Sequence, residues 1–196
     1  RLGGNSLLDL VVFGRAAGLH ISELWQSNHL PDMPYVADED IDKALVRYQR
    51  WEDSSSGESP AVIRAAMQRV MQEDFGVFRT GKVMEEGLKR LDDLRAQLKN
   101  AHLKDKSQVF NTERLAVLEL DNLMATAYVT ARSAHTRTES RGAHSREDFT
   151  KRDDDNWIKH TLCKLSDTQK EQDITFRAVN IKPHHIEPFE PKERVY

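Results

Sequence analysis

Cysteine is almost missing: the 196 residues contain one, Cys163. That excludes an internal disulfide framework and any multi-cysteine zinc or iron–sulfur site. Long hydrophobic runs are missing too. A membrane span needs roughly 18–20 apolar residues, and the longest near-run, Leu7 to Phe13, is broken by Asp9. There is no basic surplus, since 29 Lys plus Arg face 32 Asp plus Glu for a net charge of -3. A generic nucleic-acid binder usually carries such a surplus, so that class is disfavoured. Glycine is sparse, and none follows Gly142. The pattern of a signal peptide (basic start, apolar stretch, small-residue cleavage site) does not occur. The first residue is Arg1 rather than Met, and the sequence reads as a piece of a longer protein.

What is there is a core-forming share of apolar residues, 38%, beside 31% charged residues. The length suits one domain, or one domain with a piece of another. Ser6 to His20 is apolar nearly all round, which predicts a buried helix with Asn5 or Ser6 as its N-cap. Residues 26 to 37 hold Pro31 and Pro34 and read as a loop, after which Asp38 opens a second helix with Ile41, Ala44, Leu45, Tyr48 and Trp51 on one face. The polar run Asp53 to Ser59 marks a segment boundary. Ser59-Pro60, Thr80-Gly81 and Asn111-Thr112 are start signals for three further helices with apolar residues at 3–4 spacing. Three long helices on short connections predict an antiparallel bundle over 59–139, of the spectrin-repeat-like type.

Beyond Gly142 the texture changes. Trp157 to Leu165 and Ile174 to Ile181 favour strands, joined by the polar insert Ser166 to Asp173. A two-stranded ribbon is marginal alone and must lean on the bundle or on parts outside this sequence. Pro183, Pro188 and Pro191 keep the last stretch extended. The fold class is therefore mainly α: a leading helix, a three-helix bundle, and a small strand-bearing tail over 140–196.

Most polar features have an ordinary explanation. The charged face Glu85 to Arg95 is a solvated helix face with i,i+4 pairs. Glu119 and Asp121 stand two apart on one helix, hence on different faces, and suit interhelical hydrogen bonds better than a catalytic pair. Met67, Met71 and Met84 fall at core spacing, and Cys163 reads as a small core residue. His184 and His185 are adjacent, so their side chains diverge and no metal site is expected. One feature reads first as an ordinary capped helix behind a glycine turn, and alternatively as a ligand contact. Gly3-Gly4 before a helix start leaves free amides and a positive dipole end for an anion or electron-rich carbonyl, with Arg1 adding a permanent cation.

The segment Arg1-Leu2-Gly3-Gly4-Asn5-Ser6-Leu7-Leu8-Asp9-Leu10-Val11-Val12-Phe13-Gly14-Arg15 resembles the end of the flavin-binding domain in the succinate dehydrogenase/fumarate reductase flavoprotein family. Glu139-Ser140-Arg141-Gly142-Ala143-His144-Ser145-Arg146-Glu147-Asp148-Phe149, the block Arg152 to Leu162, and Pro191-Lys192-Glu193-Arg194-Val195-Tyr196 are similar to the same family in the same order. The resemblance implies residues 1–56 as the end of an FAD-binding domain and 57–196 as the flavoprotein C-terminal domain. It further implies oxidation of succinate to fumarate with hydride transfer to FAD, electrons then passing through an iron–sulfur subunit to quinone. Arg1 corresponds to an arginine gripping a substrate carboxylate, and Ser6 and Leu7 to the pair contacting the isoalloxazine ring. Membrane-anchor subunits would complete a complex on the cytoplasmic face of a bacterial inner membrane, with no span in this chain.

The family's dinucleotide-binding glycine motif, flavin-linking histidine and proton-accepting arginine find no match here, so the fragment alone is expected to lack activity and not to retain FAD. Gly4 with Leu7-Leu8-Asp9, and Trp157-Ile158-Lys159-His160, lean toward succinate dehydrogenase over fumarate reductase; L-aspartate oxidase shares the framework. His144 between Arg141 and Arg146 reads either as a docking seam toward the flavin and capping domains or as a second substrate contact, with the seam favoured. A non-enzymatic helical interaction module would account for the bundle but not for the Arg1 to Gly4 opening or the His144 loop.

Overall fold

The computed structural model describes residues 5–165, 172–182, 184–185, 187–188 and 192, with side chains for all of these but 5, 6, 172 and 173. Its elements in order are α1 (Asn5–Gln26), α2 (Asp38–Gln49), α3 (Pro60–Asp74), β1 (Phe78–Arg79), α4 (Gly81–Lys99), α5 (Thr112–Thr136), β2 (Ser145–Arg146), α6 (Asp154–Trp157), β3 (Lys159–Leu165) and β4 (Gln172–Ala178).

The three bundle helices start where the sequence signals them. The Ser59 hydroxyl accepts from Val62 N with Pro60 at the first helical position, Thr80 accepts from Val83 N, and Asn111 from Arg114 N. Each cap satisfies one of the amides that an α-helix leaves without a partner. Ile63, Met67 and Val70 of α3, Met84, Leu88, Leu91, Leu94 and Leu98 of α4, and Val117, Leu120, Met124 and Ala131 of α5 close one core. Gly87 lets α3 and α4 approach: a Cβ there would lie 2.6 Å from Asp74 Cβ and 2.6 Å from Phe75 Cε2.

Helix α2 buries none of its own residues and is tied to this core by Trp51, two residues past its end. Trp51 is 1% exposed and donates its indole N–H to Leu98 O at 2.7 Å. Asp121 of α5 receives Arg47 at 2.9 Å and Arg50 at 3.3 Å, while Glu119, on another face of α5, meets Arg64 of α3 at 3.4 Å. The two carboxylates thus serve different helix pairs, as their spacing requires. Lys106, in the α4–α5 connection, donates to the carbonyls of Trp51, Glu52 and Ser54 at 3.0, 2.8 and 2.9 Å, fastening that loop under the end of α2.

Several expectations need correction. The apolar residues of α1 are exposed rather than buried, Leu7 at 60% and Phe13 at 66%, because no element among the described residues packs over them. The charged face of α4 is not wholly solvated. Arg90 reaches across to Glu73 and Asp74 of α3, and Arg95 lies 4.1 Å over the Tyr128 ring of α5. Trp157 closes a helical turn, α6, instead of beginning a strand, since the Asp153 carboxylate caps that turn by accepting from Asn156 N at 3.0 Å.

The ribbon itself forms as the alternation suggests, β3 antiparallel to β4 with Cys163 opposite Ile174. It lies along α5, and Leu165 reaches the bundle core. A second pairing had no sequence signal: β1 runs parallel to β2, matching Phe78 to Ser145 and Arg79 to Arg146.

Candidate functional site

The segment after α5 turns back on the bundle, and five arginines hold it there. Glu139 has no exposed surface. Its Oε1 accepts from Arg137 Nε and Arg141 Nε, each at 2.8 Å, and its Oε2 from Arg141 Nη2 and the Asp153 amide, each at 2.9 Å. Burial alone would push this carboxyl up, but donors from Arg141, the Asp153 amide and Arg137 outweigh it and hold the group below its ordinary value. Arg141 continues to Asp154 at 2.7 Å, which also takes Arg152 at 2.7 Å. Arg137 reaches the carbonyls of Trp157 and Lys159, tying the base of the ribbon to the end of α5.

A second fork sits beside the first. Arg146 is 2% exposed and grips Asp148 through two bonds of 2.7 and 2.8 Å, while its Nη1 donates to Arg137 O at 2.9 Å. Asp148 in turn accepts from Gly81 N at 2.7 Å, so a carboxylate from the tail satisfies the first turn of α4. The Arg146 hydrogen bonds, joined by the Gly81 amide, hold Asp148 far below the usual carboxylate range.

His144 completes the junction. Its Nδ1 lies 2.9 Å from Arg79 Nη1 and its Nε2 3.1 Å from Arg137 O. A guanidinium only donates and a carbonyl only accepts, so the ring carries its proton on Nε2 and accepts at Nδ1. Desolvation, with Arg79, Arg146 and Arg137 nearby, pushes the imidazole below its ordinary value despite the Arg137 carbonyl. Both nitrogens are therefore used within the chain. Glu139, Asp148 and Asp154 all accept from arginines, and Asp153 accepts from Asn156, so no carboxylate described at this junction is left as a free base. What the geometry does is brace a strand-bearing tail onto a helical bundle.

The residues expected to touch ligand lie elsewhere. Arg1 falls outside the described residues. Ser6 sits in the first turn of α1, with its side chain outside the described set, and Leu7 follows it with its carbons exposed. Among the described residues no cluster of three or more His, Cys, Asp or Glu could hold a metal. His184 and His185 stand with ring centroids 6.4 Å apart, both exposed. Cys163 is half-buried beside α5, in a cleft shared with Arg79 and His144.

The arginine–carboxylate bracing was not anticipated. One signal could have found it: Glu139-x-Arg141, Arg146-x-Asp148 and Arg152-x-Asp154 repeat opposite charges two apart outside the bundle helices. In extended chain that spacing puts both on one side.

Comparison with known proteins identifies the framework. The family model described as fumarate reductase flavoprotein C-term matches residues 64–196. The succinate dehydrogenase flavoprotein subunit of Coxiella burnetii is 50% identical over 196 residues, covering 99% of this chain and 32% of that protein. Its counterpart in Rickettsia bellii is 40% identical over 200 residues, covering 100% of this chain and 33% of that one. Among solved structures, E. coli quinol fumarate reductase superposes with a TM-score of 0.79 at 34% identity, covering 97% of this chain and 32% of that chain. The chain thus spans about a third of the length of the relatives it matches. It belongs to the succinate dehydrogenase/fumarate reductase flavoprotein family and corresponds to that family's C-terminal part.

Proposed function

We propose that this chain is the C-terminal part of a flavoprotein subunit that oxidises succinate to fumarate, with residues 1–56 ending the FAD-binding domain and 57–196 forming the C-terminal domain. The 50% identity over its whole length to a succinate dehydrogenase flavoprotein subunit is the observation that carries this reading. Fumarate reduction is the second reading, supported by the match to quinol fumarate reductase.

The start of α1 fits one edge of a flavin. Its first turn carries no acidic residue, so no carboxylate of its own opposes an electron-rich ring edge, and the exposed carbons of Leu7 offer an apolar contact. Ser6 and Leu7 would hold that edge, the amides of the first turn facing the part of the ring that gains electron density. FAD, when bound, supplies the hydride acceptor. Arg1 would grip a substrate carboxylate through its planar fork and so set the angle of approach of the C–H bond. The glycine motif and proton-accepting arginine of the family are absent from the sequence, so the fragment alone neither retains FAD nor turns over succinate.

The partners are an iron–sulfur subunit and membrane anchors, with the flavoprotein peripheral on the cytoplasmic face of a bacterial inner membrane. No described helix is long and apolar enough to cross a membrane itself. Two measurements test the reading. Titrating the 196-residue chain with FAD is expected to show no micromolar binding, and Arg1→Gln in the full-length subunit is expected to lower succinate:dye reduction while flavin content stays normal. Normal turnover in that variant, or flavin binding by the chain alone, refutes it.

A further inference from the structure

We propose that the cleft along the β3–β4 ribbon is a docking site for an acidic, apolar-flanked peptide segment of a partner protein. The cleft, of about 620 Å³, lies outside the α1 region and rests on no part of the flavin reading. Its described lining includes Arg141, Lys159, His160 and Arg177 and no carboxylate. The bracing explains only part of that charge, because Arg141 is balanced by Glu139 and Asp154. Lys159 Nζ is held over the Trp157 and Phe176 rings at 4.7 and 4.3 Å, which orders the ammonium without neutralising it.

His160 and Arg177 stand directly opposite each other in the ribbon register, both exposed. Neither side chain makes an ion pair or hydrogen bond to another described residue. The pair places two side-chain hydrogen-bond donors side by side on one face of the ribbon. A carboxylate seated across the pair would give both donors an acceptor.

The rim supplies the second half of the chemistry. Leu162, Val179 and Ile181 also line the cleft and are 39%, 37% and 39% exposed. Cations ringed by accessible aliphatic carbons complement a chain segment with alternating acids and aliphatics better than a free dianion, which has nothing to place on the carbons. The ribbon gains as well, since two strands with one open face are marginal and a docked segment would cover that face.

The test uses the 196-residue chain and fluorescein-labelled peptides, read by fluorescence polarisation. Peptides alternating Glu with Leu, Ser with Leu, and Glu with Ser separate charge from apolar contact. Only the Glu/Leu peptide is expected to bind saturably, and more weakly as salt rises. Arg177→Glu is expected to weaken that binding by about tenfold or more and to gain affinity for a Lys/Leu peptide, a reversal that simple loss of folding could not produce. The proposal is overturned if Glu/Leu does not bind, if Glu/Ser binds equally well, or if Arg177→Glu changes nothing. Displacement of the peptide by millimolar phosphate or succinate would assign the cleft to small dianions and overturn it too. So would a dimer that dissociates on Arg177→Glu, which would make a second copy of the chain the occupant.

Discussion

Replacing Glu139 by Gln changes almost no volume and removes one charge. The carboxylate has no exposed surface and accepts four hydrogen bonds, three from two arginines and one from the Asp153 amide. An amide can accept at its oxygen but turns donors toward donors at its nitrogen. The guanidiniums of Arg137 and Arg141 then lose their shared buried counter-charge, although Arg141 keeps Asp154. Removing one partner of a buried ion pair costs about 3–5 kcal/mol, and the surviving Asp154 contact puts the expectation near ~3 kcal/mol. For a chain of this length that corresponds to a melting-point drop of roughly 6–12 °C. The assay is urea unfolding of wild type and Glu139→Gln followed by tryptophan fluorescence, since Trp157 sits against Arg137.

The pH dependence gives a second readout. The Glu139 pKa is depressed in the folded protein, so its contribution is full above the ordinary value of 4.5 and is lost as the pH falls through the lower folded value. The gap between wild type and variant should therefore close in acid. A difference under about 1 kcal/mol at neutral pH, the size of an ordinary hydrogen bond, or a gap that persists once the carboxylate is protonated, would refute the reasoning.

Other expectations follow from the same geometry. Gly87→Ala, which in an exposed helix would stabilise by about 1 kcal/mol, should instead destabilise by roughly 1–3 kcal/mol through overpacking against Asp74 and Phe75; a higher urea midpoint would contradict this. Leu120→Ala, at a fully buried position, should lower unfolding free energy by about 2–5 kcal/mol, and a loss below that range would mean the bundle collapses around the gap. His144 should titrate in NMR below an ordinary imidazole. Its contribution to stability is full above the ordinary value of 6.5 and declines as pH falls through the folded value. A His144 midpoint above 6.5 would reverse that sign.

The helices and their starts were legible because the signals are local. Ser59-Pro60, Thr80 and Asn111 act within one turn, and the apolar spacing of α3 to α5 marks the faces that meet. The ribbon was legible for the same reason, its two apolar runs lying on either side of one polar insert. What escaped depends on contacts distant in sequence. The parallel pairing of Phe78 with Ser145 joins two-residue strands with no periodicity to read. The partners of Arg79 and Arg146 follow from that pairing. The exposure of α1 escaped for a different reason: an all-round apolar helix announces that something should cover it, not which part of a protein does. Of the residues tied to ligand by resemblance, Ser6 and Leu7 stand on that same element, apart from the braced junction, while Arg1 lies outside the described residues.

The order of the bundle helices has a kinetic consequence. α3, α4 and α5 are consecutive, and each packs on the other two. Such local connectivity closes in about milliseconds or faster, whereas Ala178, the end of β4, lies 42 residues beyond the end of α5. At a synthesis rate of about 5–20 residues per second, those residues take roughly 2–8 s to emerge. The bundle can be complete before the ribbon exists, and the Arg137–Glu139 brace then acts as a late latch on a finished body. Helix α1 precedes the bundle in the chain, and neither the finished bundle nor the late ribbon covers its aliphatic surface among the described residues, so neither folding event shields it.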